Sequence, residues 1–316
     1  ADADRILLSG GTYRLTLAGG GENDAATGDL DIKKDVEILG LGANLTRIDA
    51  QGMGEQPIQS SNPGTDLVLR KLAFQHSDTG ALSLGIGTQL IEDCEVRDNG
   101  TGASHIAILG SIGSVLTMRR TTVAGNTGTG VQLLQQAASL ENVTISGNGA
   151  SELLVALAVG FSCTHCTIAD PADSDAEVTV FDSTLELANT IVAGDCVLGS
   201  GGAIDSLGGN VESAGHTCPF DQASDTVDVT SGALALGVLA DNGGPGGTRT
   251  HLPAAASAAD GAASDALCLP SDQRGVVRET NCESGAVERT TAVIPSFLFV
   301  DDFLQGGTGA WSLTVP

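Results

Sequence analysis

Six hexapeptides decide the fold: LRKLAF (residues 69–74), IEDCEV (91–96), MRRTTV (118–123), LENVTI (140–145), CTHCTI (163–168) and LANTIV (187–192). Aligned on their last residue they place Phe74, Val96, Val123, Ile145, Ile168 and Val192 at separations of 22, 27, 22, 23 and 24 positions. Recurrence at this period marks a solenoid in which each repeat is one coil. Two residues before the last stand Leu72, Cys94, Thr121, Val143, Cys166 and Thr190, all apolar or small. Side chains alternate faces along a strand, so these two columns point the same way and each phrase ends in a short parallel strand. The fifth residue before the last (Leu69, Ile91, Met118, Leu140, Cys163, Leu187) has the opposite parity. It can share that interior only if the chain turns a corner within the phrase.

The columns between the inward positions carry charge. One reads Arg70, Glu92, Arg119, Glu141, Thr164, Ala188, and the next reads Lys71, Asp93, Arg120, Asn142, His165, Asn189. The sign alternates from coil to coil. Stacked at the spacing of neighbouring strands, about 4.8 Å, such columns set opposite charges side by side. Glu92, Asp93, Arg119, Arg120 and Glu141 could supply an acid and a base, but pairing within the ladder accounts for them without catalysis. Thr122, Thr144 and Thr167 are expected to form an outward ladder on an exposed pleat. Asn99, Asn126 and Asn148 fall in register at a turn, where stacked amides can hydrogen-bond one another.

Composition fits a stack of coils. The chain holds 43 Gly, one Trp, one Tyr and seven Phe in 316 residues, which implies many tight turns around a core of small and aliphatic side chains. A quasi-one-dimensional stack can use this length as one body. The formal charge of -25, with only Lys33, Lys34 and Lys71 as lysines, excludes nucleic acid as a partner and weighs against a strongly anionic polysaccharide. No run of 18 uncharged apolar residues is present, so no membrane span is expected. The longest apolar stretch, from Leu153 to Phe161, is expected to be buried between two strands. The first residues, ADADR, do not read as a signal peptide, which is expected to have been removed or to lie outside this sequence.

Seven cysteines point to an oxidising compartment. Cys196 and Cys218 stand one coil apart, within disulfide reach, and Cys268 and Cys282 enclose a short loop that a second bridge could close. Cys94 and Cys166 share a column three coils apart, roughly 14 Å by the strand spacing, too far to bond; Cys94 reads as a free buried thiol. Cys163 and Cys166 flank His165 in CTHC, yet both lie in inward columns and no second CxxC or HxxxH accompanies them, so zinc and redox chemistry are disfavoured. Calcium, as a structural ion, is the cofactor to consider, with Asp98, Asn99, Asp241 and Asn242 as ligands; DNG and DNGG are equally ordinary turn sequences. His76, His105, His216 and His251 are isolated in sequence, and a structural role is favoured for His251.

The opening GGTYRLTLAGGGENDAATGDLDIKKDVEILGLGANLTRIDAQG and three later blocks, LGGNVES (Leu207–Ser213), LGVLADNGGPGGTRTHLPAAASAADGA (Leu236–Ala262) and CLPSDQRGVVRETNCESGAVE (Cys268–Glu288), resemble secreted bacterial β-helix proteins of the choice-of-anchor Q group. These often follow a CSLREA-type N-terminal segment. The resemblance covers roughly residues 10–290; DNGGP, THLP, DQRG and CESGAVE occur in order. Ala259 and Asp260 replace the usual Ile-Asp step, and the CSLREA stretch is absent, which implies processing or a missing N-terminal cap. The tail FLFVDDFLQGGTGAWSLTVP is similar to the DGFESGDTSAW-type ends of many secreted bacterial proteins. Asp301 and Asp302 within it would point apart on an extended strand.

The expected architecture is all-β: a single-stranded right-handed parallel β-helix over residues 1–291 and a C-terminal tail, 292–316, which serves as a cap over the open end of the stack, as an anchor or as a subunit-subunit contact. The expected function is a non-enzymatic structural or adhesive module, secreted to the surface or exterior of a bacterium. Its partner would be cell-surface or matrix glycans, or a second copy bound head to tail through Phe297, Phe299, Phe303 and Trp311. The alternative is a polysaccharide lyase or glycoside hydrolase.

Overall fold

The computed structural model describes residues 4–290 apart from 22, 23, 25, 61, 158, 159 and 171–175. Each coil contributes one strand to each of three parallel sheets of nine, ten and eight strands, called here A, B and C. Parallel crossovers within one sheet run right-handed, and the chain is a right-handed parallel β-helix. Register is kept from coil to coil: Leu69, Ile91, Met118, Leu140, Cys163 and Leu187 stack in sheet A, and Phe74, Val96, Val123, Ile145, Ile168 and Val192 stack in sheet B.

Each hexapeptide therefore spans two sheets. Leu69–Arg70 ends a strand of sheet A, Ala73–Phe74 opens one of sheet B, and Lys71 turns the corner. The turn is made the same way in every coil: Lys71, Asp93, Arg120, Asn142, His165 and Asn189 all hold φ between 47° and 58°. A left-handed residue reverses the pleat parity, which is how columns of opposite parity reach one interior. L-residues adopt this conformation at a cost of roughly 1–2 kcal/mol. Six in a column persist because the core on both sides of the corner over-determines them.

That core is a single continuous cluster running from Ile32 to Phe220. Leu153, Val155 and Phe161 are buried in it as expected, but Leu157 is half exposed at a positive φ. At the far end the sheet B column passes from Val192 to Glu212. The Glu212 carboxylate is fully buried and accepts hydrogen bonds from Thr217 Oγ1 at 2.9 Å and Cys218 N at 3.0 Å. Sheet B adds one more strand, Thr226–Val229, and the loop before it, held by this carboxylate, packs Cys218 and Phe220 into the core. A disulfide joins Cys218 to Cys196. Closing a loop of this size constrains the unfolded chain by about 3 kcal/mol. The Cys196→Ser, Cys218→Ser double variant is accordingly expected to unfold at lower urea, with that loss in unfolding free energy.

The Asn ladder forms along the turn after sheet B. Asn99 Nδ2 donates to Asn126 Oδ1 at 2.9 Å and Asn126 Nδ2 to Asn148 Oδ1 at 2.8 Å. Their backbone N–H groups also donate to the next amide oxygen, both at 3.1 Å. Each amide nitrogen reaches back as well, to Phe74 O, Val96 O and Val123 O. Glu152 ends the row, its two oxygens accepting from Asn148 N and Nδ2.

The coil stack ends near Val229. Residues 231–290 do not continue it; they carry a short helix (Ser231–Leu234) and an antiparallel strand pair (Leu236–Ala240 with Thr250–Pro253) and lie back along the outside of sheet B. This return segment touches the stack from Ala43, whose N–H donates to Gly246 O, to Gly209, whose carbonyl accepts from Ser284 Oγ.

Candidate functional site

The three outer faces of the stack differ. On sheet A the alternating charges pair as the sequence predicts: Arg70 Nε lies 3.2 Å from Glu92, Arg119 Nε 2.9 Å from Glu141, and Arg120 contacts both Glu92 and Asp93 at 2.8 Å. Arg5 and Arg70 flank Glu37 in the same row. Glu95, in the second phrase, lies on sheet B and pairs instead with Arg249 of the return segment. The outward row of sheet C starts at Asp31 and continues through the uncharged Gln59, Ser83, Leu109, Gln132, Leu154 and Thr179.

Sheet B departs from expectation. Thr122, Thr144 and Thr167 do point outward, but they are buried, not exposed, because the return segment covers them. Thr122 Oγ1 donates to Arg249 O at 2.6 Å and Thr144 Oγ1 to Gln273 Oε1 at 2.6 Å, while Thr167 Oγ1 accepts from Ala286 N at 3.0 Å. Gln273 Nε2 donates to Thr122 Oγ1 at 2.7 Å, so one amide spans two rungs. The charged corner column serves the same seam. Asn142 Nδ2 donates to Ser271 O and Asn142 Oδ1 accepts from Arg278 Nη2, while Asn189 Oδ1 accepts from Ser264 N.

The DQRG and CESGAVE blocks supply these latches. Asp272 is fully buried and accepts from Arg274 Nε and Nη2, Val276 N and Glu288 N. Gly285 brings its backbone against sheet B at φ +92°, where a Cβ would stand 2.5 Å from Ile191 Cδ1 and 2.8 Å from Thr167 Oγ1. His165 is buried beneath the seam, its Nδ1 3.3 Å from Gly285 O, and burial with the nearby Arg278 charge pushes its pKa down to about 3.

Where the return segment leaves the end of sheet B, a groove of about 650 Å³ opens. Ser146, at the end of its sheet B strand, and His251, on the returning strand pair, both line it. His251 Nδ1 lies 2.7 Å from Gly237 O and Nε2 lies 2.7 Å from Ser146 Oγ. The carbonyl can only accept, so Nδ1 carries the proton and Nε2 accepts from the Ser146 hydroxyl. Burial lowers the His251 pKa, with the Gly237 hydrogen bond opposing, and keeps the ring neutral. Asp170, Glu177 and Asp195 line the same groove, with Leu234, Leu236 and Val238 as apolar wall. Sequence reading assigned His251 a structural role and did not single out Ser146. The two are 105 residues apart, and no local pattern joins them.

The other sequence candidates fall elsewhere. Asn99 is committed to the ladder, and Asp98 accepts from Arg97 Nη1 at 3.0 Å. Asp241 accepts from Gly243 N in an Asx turn, and Asn242 Nδ2 donates to Thr250 O. These contacts satisfy the turn itself. Cys268 and Cys282 form a disulfide, and Cys163 and Cys166 are joined to each other inside the coil. His165, Cys268 and Cys282 present ligand-type atoms within 4.8 Å of one another, but both thiols are consumed by their bond. Cys94 is free and buried, its pKa pushed up to about 12 by desolvation. Phe297, Phe299, Asp301, Asp302, Phe303 and Trp311 lie outside the described residues.

No family model and no curated protein matches this chain. Among solved structures it is similar to the crystal structure of pectate lyase Pel9A, with a TM-score of 0.49 and 16% identity over 90% of this chain and 88% of that one. Among the described residues, no helix is long and apolar enough to cross a membrane.

Proposed function

We propose that the protein is an extracellular structural or adhesive module of a bacterium, built to extend end to end. Support comes from the strand edges and apolar surface of the first described coil and from the disulfides. The first coil offers three strands, Asp4–Leu7, Gly11–Arg14 and Leu30–Ile32, each paired on one side only among the described residues. Between them an apolar notch of about 180 Å³ is lined by Ile6, Leu8, Tyr13 and Leu15, and Ile6 and Leu7 are 46% and 67% exposed. Unpaired strand edges beside apolar surface are where another chain adds. Disulfides fit an oxidising exterior.

The tail carries the aromatic side chains suited to that notch, and a head-to-tail contact that does not close grows a filament. Light scattering and negative-stain microscopy on the full chain and on a variant lacking Phe297–Pro316 test this. Filaments or oligomers from the full chain and monomers from the variant are expected; a monomeric full chain, or equal assembly of the two, overturns the reading. Polysaccharide cleavage is the weaker alternative. Of the repeated strand faces, A carries paired charges and B is covered by the return segment, and no Phe, Tyr or Trp lines the groove for a sugar ring to stack on.

A further inference from the structure

The groove carries an arrangement that a scaffold does not require. We infer that Ser146, His251 and the Gly237 carbonyl form a nucleophile, base and orienting group for hydrolysis of small neutral carboxylic esters. The inference is independent of end-to-end assembly and rests on three observations. Ser146 and His251 meet at hydrogen-bond distance, and the second ring nitrogen is fixed by an acceptor, so the tautomer that leaves Nε2 free to take the serine proton is imposed. Both residues line one cavity large enough for a small ester. A bulge between Leu236 and Leu239 takes Gly237 and Val238 out of ladder register, and both line the same groove.

The reaction balances without a further reagent. Ser146 Oγ attacks the ester carbonyl carbon as its proton passes to His251 Nε2, and the negative charge gathers on the carbonyl oxygen. Collapse breaks the bond to the alkoxy oxygen, which leaves as the alcohol with the proton from Nε2. Water, deprotonated by Nε2, then attacks the acyl-serine; Ser146 regains a proton and the carboxylic acid departs. Leu234, Leu236 and Val238 offer apolar contact to the organic groups, and Asp170 and Asp195 repel an anionic substrate.

The test is covalent labelling of the full chain with a fluorophosphonate, read by intact mass and peptide mapping, beside hydrolysis of p-nitrophenyl acetate. One adduct on Ser146 is expected, absent after urea denaturation and absent from Ser146→Ala, which removes one hydroxyl and should keep the native circular dichroism. His251→Gln, checked for fold in the same way, should slow labelling by about 10²-fold or more. Absence of an adduct on Ser146 in the native protein, or labelling of Ser146 in folded His251→Gln at the unaltered rate, overturns the assignment. Ester turnover unchanged in Ser146→Ala does the same.

Discussion

Replacing Asn126 with alanine is expected to lower the unfolding free energy by about 3–5 kcal/mol. The reason is the number of groups that one amide satisfies. Asn126 Oδ1 accepts from Asn99 N and Nδ2, and its Nδ2 donates to Val96 O and Asn148 Oδ1. Alanine strands the Asn99 backbone N–H and removes the amide donor to the Val96 carbonyl, in a site where Asn99 and Asn126 are only 1% and 3% exposed. Each buried polar group left unpaired costs roughly 1–3 kcal/mol, less what an entering water restores. Equilibrium urea unfolding measures it, and a loss below about 1 kcal/mol would mean that water replaces the ladder at little cost.

The second large expectation is a loss of stability between pH 6.5 and 8. Burial pushes Glu152 up to about 8 from 4.5, with the Asp170 and Glu177 charges adding to it. Burial and the adjacent Glu288 raise Glu283 in the same direction. For a raised acid the native state holds a proton that the unfolded chain releases, so its contribution is complete below pH 4.5 and is lost as pH rises through the folded value. The histidines act oppositely. His165 at about 3 and His251, also lowered, are neutral in the native state, so their contribution is present above pH 6.5 and is lost as pH falls toward 3. Between 4.5 and 6.5 the two sets oppose. Above 6.5 only the acids remain, and Glu152 alone removes about 2 kcal/mol by pH 8. Urea midpoints should therefore fall across this interval, and Glu152→Gln should flatten the fall. A midpoint that holds steady from pH 6.5 to 8 in the unaltered protein contradicts the assignment.

Both expectations centre on one turn, and much of that turn is legible in the sequence. Asn99, Asn126 and Asn148 recur at coil spacing, so their stacking follows from period alone. The end of the row at Glu152 does not, because it lies four residues along the same turn and outside the repeated phrase. The corner is legible as a need, since two inward columns of opposite parity cannot share a straight strand. That it is met by a left-handed residue at Lys71, Asp93, Arg120, Asn142, His165 and Asn189 is not written in those side chains, which share neither size nor charge. Cysteine pairing shows the same divide. The spacing of Cys196 and Cys218 by one coil predicts neighbours, whereas CTHC inside the coil required the structure to show that Cys163 and Cys166 bond to each other.

The hexapeptides determined the coil, its interior columns and the ion-pair lattice on sheet A, and the asparagines three residues beyond them determined the Asn ladder. Each of these joins residues one coil apart, and a fixed period makes such neighbours adjacent wherever the stack begins. Tertiary structure alone decided that residues 231–290 return along sheet B. That return buries the threonine ladder the sequence placed in solvent, sets Gln273 across two of its rungs and brings His251 to Ser146. Contacts over a hundred residues long follow no period. They are fixed by where buried donors on the return segment find acceptors on the stack, and those matches exist only once both are folded.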